Sequence, residues 1–139
     1  MIADPLSILI TDDDRDFRET LRGVFEPAGY RTYLAEDGEE ALSIVSVTDI
    51  HVVLLDMHMP KLTGLETLRR VKQIKVIVPC ILMSASADEN LIRQALGAQA
   101  FSVLAKPVSR FDITRAVHQA LTRTYNWSKP FDCSRAEFE

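Results

Sequence analysis

Four aspartates, a serine and a lysine fall at the ends of short apolar runs. Asp12, Asp13 and Asp14 follow "SILIT", Asp56 closes "HVVLL", Ser84 closes "CILM", and Lys106 follows "SVLA". If those runs are neighbouring strands, the polar groups gather on one edge. Carboxylates crowded there repel one another and raise at least one pKa unless a cation compensates. A hard divalent cation with oxygen ligands, Mg2+ for preference, supplies that compensation, and it usually recruits one or two carboxylates together with phosphate oxygens. The inventory therefore suits phosphoryl chemistry. Asp56 can attack phosphorus and form an acyl phosphate, Lys106 can hold a phosphoryl oxygen as a mobile point charge, and Ser84 can donate a hydrogen bond to another.

The elements that must position these groups alternate regularly. "SILIT" reads as a buried strand, followed by a helix with Phe17, Leu21, Val24 and Phe25 at helical spacing until Pro27 and Gly29 stop it. "YRTYLA" (30–35) reads as a second strand, and Asp37 caps a helix with Ala41, Leu42 and Val45 on one face. "IHVVLL" and "GLETLRRVKQI" form the third pair. "VPCILMS" and "DENLIRQALG" form the fourth, with Asp88 as cap and Gly97 as stop. "AFSVLA" (100–105) is the fifth strand, and from Ser109 a long helix turns Phe111, Ile113, Val117, Ala120 and Leu121 inward.

Strands apolar on both faces, each followed by a helix, imply an α/β fold: a doubly wound parallel sheet of five strands with five helices. Right-handed crossovers bring all strand C-termini to one edge, where ligands bind at the point of strand-order reversal. Each residue alone has an ordinary reading: the aspartates as turn formers and caps, Ser84 as a turn residue, Lys106 as a solvated charge. Their coincidence at the ends of different strands of one sheet favours chemistry.

Bulk properties narrow the field. The 139 residues, 47% apolar, suit one domain, expected over 1–125 with a short polar tail at 126–139. A formal net charge of −4 gives no reason to expect nucleic-acid binding. Cys80 in an apolar strand and Cys133 in the tail form no disulfide framework and suit a reducing cytoplasm. No window approaches the roughly 20 apolar residues of a membrane helix, so the chain reads as cytoplasmic.

The ordered set "ILITDDD", "LLDMHMPKLTG", "ILMSA" and "LAKP" resembles the receiver domain of two-component response regulators, chemotaxis regulators included, from about residue 7 to 125. The resemblance implies a flavodoxin-like sheet of order 2-1-3-4-5. By it, Asp12 and Asp13 are the acidic pair that binds Mg2+ and Asp56 is the phosphoacceptor. Ser84 is the switch hydroxyl and Lys106 the phosphate-binding lysine, while His58 lends the metal a backbone carbonyl. It also implies a sensor histidine kinase or histidine phosphotransfer protein as phosphodonor, with a downstream protein target or output domain. A phosphorylation-dependent homodimer is a further implied partner state. Asp14 is left as a cap of the first helix, and Met57 and Met59 as packing residues. Pro60 fixes φ, and Gly64 permits a left-handed or tightly packed backbone. Trp127 is expected to pack the end of helix five.

Two positions depart from the family. Val103 stands where receivers often carry a tyrosine or phenylalanine, with Phe101 as a partial substitute on the same side of the strand by alternation. Gln99 stands where many receivers have glycine. Two rivals remain. "DDDRD" contains the Asp-x-Asp spacing of haloacid-dehalogenase-type phosphatases, with Asp12 as nucleophile and Asp14 as acid/base. Such enzymes need a later acidic pair, and the only acids after Lys106 are Asp112, Asp132, Glu137 and Glu139, none adjacent to another. The other rival is a receiver-like binding module that works without phosphorylation.

Overall fold

Burial along the strands alternates between two helical layers. In the computed structural model, which describes residues 5–127, β1 (Ser7–Thr11), β2 (Arg31–Ala35), β3 (Val52–Asp56), β4 (Cys80–Ser84) and β5 (Ser102–Ala105) form one parallel sheet of order β2-β1-β3-β4-β5. Helices α1 (Arg15–Phe25), α2 (Gly38–Val47), α3 (Gly64–Ile74), α4 (Glu89–Gly97) and α5 (Arg110–Tyr125) alternate with them. Ile8, Ile10, Val52, Leu54, Ile81 and Met83 pack under α1 and α5, whereas Leu9, Val53, Leu55, Cys80 and Leu82 pack under α2, α3 and α4. The period-2 side-chain geometry of a strand assigns alternate residues to opposite layers. The doubly wound α/β architecture expected from the sequence is the one observed.

Each helix begins on a polar cap that satisfies otherwise orphaned N–H groups. Asp14 accepts from Asp16 N and Phe17 N, Asp37 from Glu40 N, Asp88 from Leu91 N and Ser109 from Asp112 N. Thr63 and Glu66 form a reciprocal capping box on α3. The caps at Asp14, Asp37 and Asp88 lie where the sequence puts them, and Ser109, expected to open the last helix, is its cap.

Several boundaries and turns differ from expectation. β2 starts at Arg31, β3 at Val52, β4 at Cys80 and β5 at Ser102, each later than the apolar runs suggest. α4 ends at Gly97, where the sequence puts its stop, but Gly97 is not the left-handed residue of that ending. Gln99 takes the left-handed backbone at φ 70°, with Gln99 N–H to Leu96 O and Ala100 N–H to Ala95 O. That is the paired bonding of a Schellman ending with glutamine in the position glycine prefers. Gly29 does serve α1 this way, at φ 99°, and Tyr30 N–H returns to Phe25 O. Leu42 and Phe111, expected inward, are only partly buried.

The pole opposite the strand C-termini is tied by polar contacts to His51's backbone and ring. Ser7 N–H donates to His51 Nδ1 at 2.9 Å, and Tyr125 O–H donates to His51 O at 2.7 Å. Trp127 packs beside Tyr30 and His118, with ring centroids 5.7 and 5.8 Å away, as expected for the end of helix five. From residue 128 onward the expected tail, Cys133 included, lies outside the described residues. Among the described residues no helix is long and apolar enough to cross a membrane.

Two measurements probe these features. A glycine at position 99 removes a left-handed backbone cost of about 1–2 kcal/mol, offset in part by greater unfolded-chain freedom. Gln99→Gly should therefore raise unfolding free energy by about 0.5–1 kcal/mol in urea titrations. Gly97→Ala should also stabilise, since nothing lies within 4 Å of an added Cβ there, whereas a glycine stop would make that change harmful. Burial holds the His51 pKa below its usual 6.5, with the charge of Asp49 opposing the shift. The unfolded chain then binds the proton more readily, so this contribution is present above about pH 6.5 and is lost as pH falls below it. Between pH 7 and 5 the wild type should lose more stability than His51→Asn, read by thermal melting.

Candidate functional site

Register decides which strand ends meet. Thr11 pairs with Leu55 across β1 and β3, which sets Asp12 beside Asp56 where the chain order reverses. Asp56 pairs with Met83, and Ser84 with Ala105, so Ser84 and Lys106 complete the same edge. The sheet thus sets Asp12, Asp56, Ser84 and Lys106 on one edge, and Asp14 caps α1 beside it.

Asp12 is fully buried and Asp56 is 4% exposed. Asp12 Oδ1 accepts from Asp14 N–H at 2.9 Å, and its Oδ2 accepts from Lys106 Nζ at 2.8 Å. Lys106 Nζ also lies 3.1 Å from Asp56 Oδ1, so one ammonium bridges two buried carboxylates. Arg18 Nη1 donates to the Asp12 carbonyl at 2.6 Å and braces the acidic turn. Asp13 is exposed, yet one oxygen from each of Asp12, Asp13 and Asp56 lies within 4.8 Å of the others. Three hard oxygen donors at that spacing fit a small divalent cation such as Mg2+.

The electrostatics follow from this crowding. Burial first, then the negative charge of Asp12, hold the Asp56 pKa above its ordinary 3.8 despite hydrogen bonds from Lys106 and the His58 backbone. Burial opposes the charge on Lys106, but the hydrogen bonds and charges of Asp12 and Asp56 outweigh it and raise its pKa. The carboxylate is thus a costly anion held in place by one cation.

The loop after β3 shapes the mouth. Met57 N–H donates to Met83 O at 2.7 Å and Gly64 N–H to Met57 O at 2.9 Å. A Cβ on Gly64 would meet Asp56 O, Leu82 Cδ1 at 2.7 Å and Met57 Cα at 2.8 Å. Of the two roles open to Gly64, close packing is the observed one, and the left-handed residue of the loop is Lys61 at φ 71°. Met59 is buried and Met57 packs on the layer formed with α2, α3 and α4. Buried Ser84 Oγ accepts from Ser86 N–H at 3.0 Å and lies 3.3 Å from Nε2 of exposed His58.

Two further positions bear on the site. Phe101 and Val103 do not share a side: Phe101 precedes β5 and packs with the α1 and α5 layer, whereas Val103 packs with the opposite one. Arg123 sits over the Phe101 ring at 5.7 Å. Phe17, read from the sequence as a core residue, has Lys106 Nζ 4.6 Å from its ring centroid. Only the sheet's closure of residue 106 onto residue 17 makes that pairing visible.

The comparisons settle the family. The model of the response regulator receiver domain matches residues 8–118. The chain belongs to the response regulator receiver family. Sporulation initiation phosphotransferase F of Bacillus subtilis is 37% identical over 114 residues, covering 82% of this chain and 92% of that protein. Response regulator MprA of Mycolicibacterium vanbaalenii is 34% identical over 120 residues, which cover 86% of this receiver but 52% of MprA. The receiver thus spans about half the length of that relative. The response regulator TrrA of Thermotoga maritima, solved in complex with Mg2+ and BeF, aligns with a TM-score of 0.76 at 28% identity, covering 84% of this chain and 99% of that one.

The strained charge balance gives a stability test. A raised carboxyl pKa in the folded protein means that Asp56 costs stability above that pKa and regains it as pH falls. Asp56→Asn should therefore raise the melting temperature at pH 7. Removing one partner of a buried ion pair costs roughly 3–5 kcal/mol. Lys106→Ala should approach the lower end of that range, since the lysine side chain is 24% exposed. Asp56→Asn added to Lys106→Ala should recover part of the loss, measured by urea denaturation.

Proposed function

We propose that this receiver takes a phosphoryl group onto Asp56 from a phosphohistidine of a sensor histidine kinase or histidine phosphotransfer protein. The observation that carries the reading is the bridging of Asp12 and Asp56 by Lys106, with Asp13 beside them. A buried carboxylate pair held by a single amine is an expensive arrangement that a core has no use for. An Asp56 oxygen attacks phosphorus, the bond from phosphorus to the donor nitrogen breaks, and its electron pair leaves with the imidazole. Asp12, Asp13 and Asp56, with the His58 carbonyl, would hold Mg2+, which when bound neutralises charge on the phosphoryl oxygens. Lys106 follows one phosphoryl oxygen and Ser84 donates to another.

Phosphorylation adds about −1.5 to −2 charge and new acceptors. In this reading they draw Ser84 away from His58 and bias a two-state surface on α4, β5 and α5 toward a downstream protein target or output domain, or toward a homodimer. The chain works in the cytoplasm, without contacting nucleic acid or membrane itself. Against the phosphatase alternative, the Asp14 carboxylate is committed as the cap of α1, which leaves it poorly placed as an acid/base for Asp12.

A small acyl phosphodonor with Mg2+ tests the assignment. Label should appear on the wild type, vanish in Asp56→Ala, and fall by an order of magnitude or more in Asp13→Ala and Lys106→Ala, following the ~10²-fold or greater effects of lost charge stabilisation. Loss in Asp12→Ala with retention in Asp56→Ala would point to the phosphatase instead. His58→Ala and Ser86→Ala should change the half-life of the acyl phosphate more than Mg2+ affinity; equal effects on both would remove these residues from the dephosphorylation step.

A further inference from the structure

Among the described residues the Lys106 ammonium has three partners, and two of them change during the proposed reaction. Asp56 becomes an acyl phosphate, and Asp12 comes to share its carboxylate with a cation. The third partner, the Phe17 ring 4.6 Å from the ammonium, does not change. A lysine on a flexible four-carbon stem needs such a fixed reference once its carboxylates are drawn elsewhere. The face of an aromatic ring attracts an ammonium through its quadrupole.

Phe17 is placed for this by its own helix. It lies in the first turn of α1, where Asp14 Oδ1 accepts its N–H at 3.4 Å. Leu21, Val24 and Phe25 of the same helix are buried, but Phe17 is only partly so. With Asp14, Ala85, Lys106, Pro107 and Val108 it lines an open cavity of about 450 Å³ beside the acidic site. The ring that packs on the core through one side thus also forms part of the cavity wall beside the Lys106 ammonium.

We infer that Phe17 is a positioning residue: its ring holds the Lys106 ammonium over the phosphoacceptor while Asp12 and Asp56 change partners. The inference rests on the phosphoacceptor reading above. Phe17→Leu keeps an apolar side chain and removes the ring, and Phe17→Tyr keeps the ring with room in the cavity for its hydroxyl. Labelling by a small acyl phosphodonor should slow by about two- to five-fold in Phe17→Leu, the size of an exposed cation–π contact, and return to near wild type in Phe17→Tyr. In a Lys106→Ala background, Phe17→Leu should have no further effect. An equal slowing in both backgrounds, or none in either, would overturn the positioning role. In the unphosphorylated protein, the Lys106 Hε resonances should be shifted upfield by the ring in wild type and Phe17→Tyr, and unshifted in Phe17→Leu. An absence of shift in the wild type would deny the contact itself. No label on the wild type would overturn the phosphoacceptor reading and this role together, whereas normal wild-type label with unaltered Phe17→Leu kinetics would overturn this role alone.

Discussion

Two carboxylates that would prefer to be apart are held side by side because β1 and β3 are adjacent parallel strands in a register that aligns their ends. Taking Asp12 and Asp56 out of water next to each other is tolerable only with a cation between them, and Lys106 supplies it from the far edge of the sheet. The lysine arrives from 94 residues along the chain, across β3 and β4, so the whole strand order has to be correct before the charges balance. Neighbouring features serve that balance. Asp14 N–H occupies one Asp12 oxygen, Arg18 pins the Asp12 carbonyl, and Phe17 flanks the ammonium.

The rest of the molecule gives this charge cluster a rigid frame. Strand residues alternate strictly between two apolar layers, so no strand can slip by one residue without turning its whole core face to the wrong side. Each helix is started by a side-chain cap, which sets where its first turn meets the strand end before it. Gly64 lets α3 begin directly against the Asp56 carbonyl, and Gly38 lets α2 lie against Leu62 and Thr67. Close approach at these two glycines brings the loops around the acidic edge near enough to wall it. Close packing of the two layers keeps the strand ends, and with them the charged side chains, at fixed spacing.

Legibility in the sequence followed the range of the interaction. The caps at Asp14, Asp37 and Asp88 were readable because a cap is settled by a residue and its next three neighbours. Strand existence was readable from apolar runs, but the starts of β2, β3, β4 and β5 were not, since an apolar residue just before a strand can pack without joining the ladder. Gln99 shows the limit of residue preference: α4 ends where the chain must turn back into β5, and the left-handed position fell on glutamine although a glycine stood two residues earlier. Phe101 and Val103 show the same limit, because alternation applies only within the strand, and Phe101 lies before it.

The sequence by itself determined the alternation of five strands and five helices, the chemistry available at the strand ends, and the family to which the chain belongs, because these depend on residue type and local spacing. Tertiary structure alone decided that Lys106 bridges Asp12 and Asp56, that Ser84 rests against His58, and that Phe17 lies beside the ammonium. Those pairings depend on ångström distances between residues far apart in the chain. Such distances are fixed by strand order, register and layer packing, quantities that no local pattern of side chains encodes.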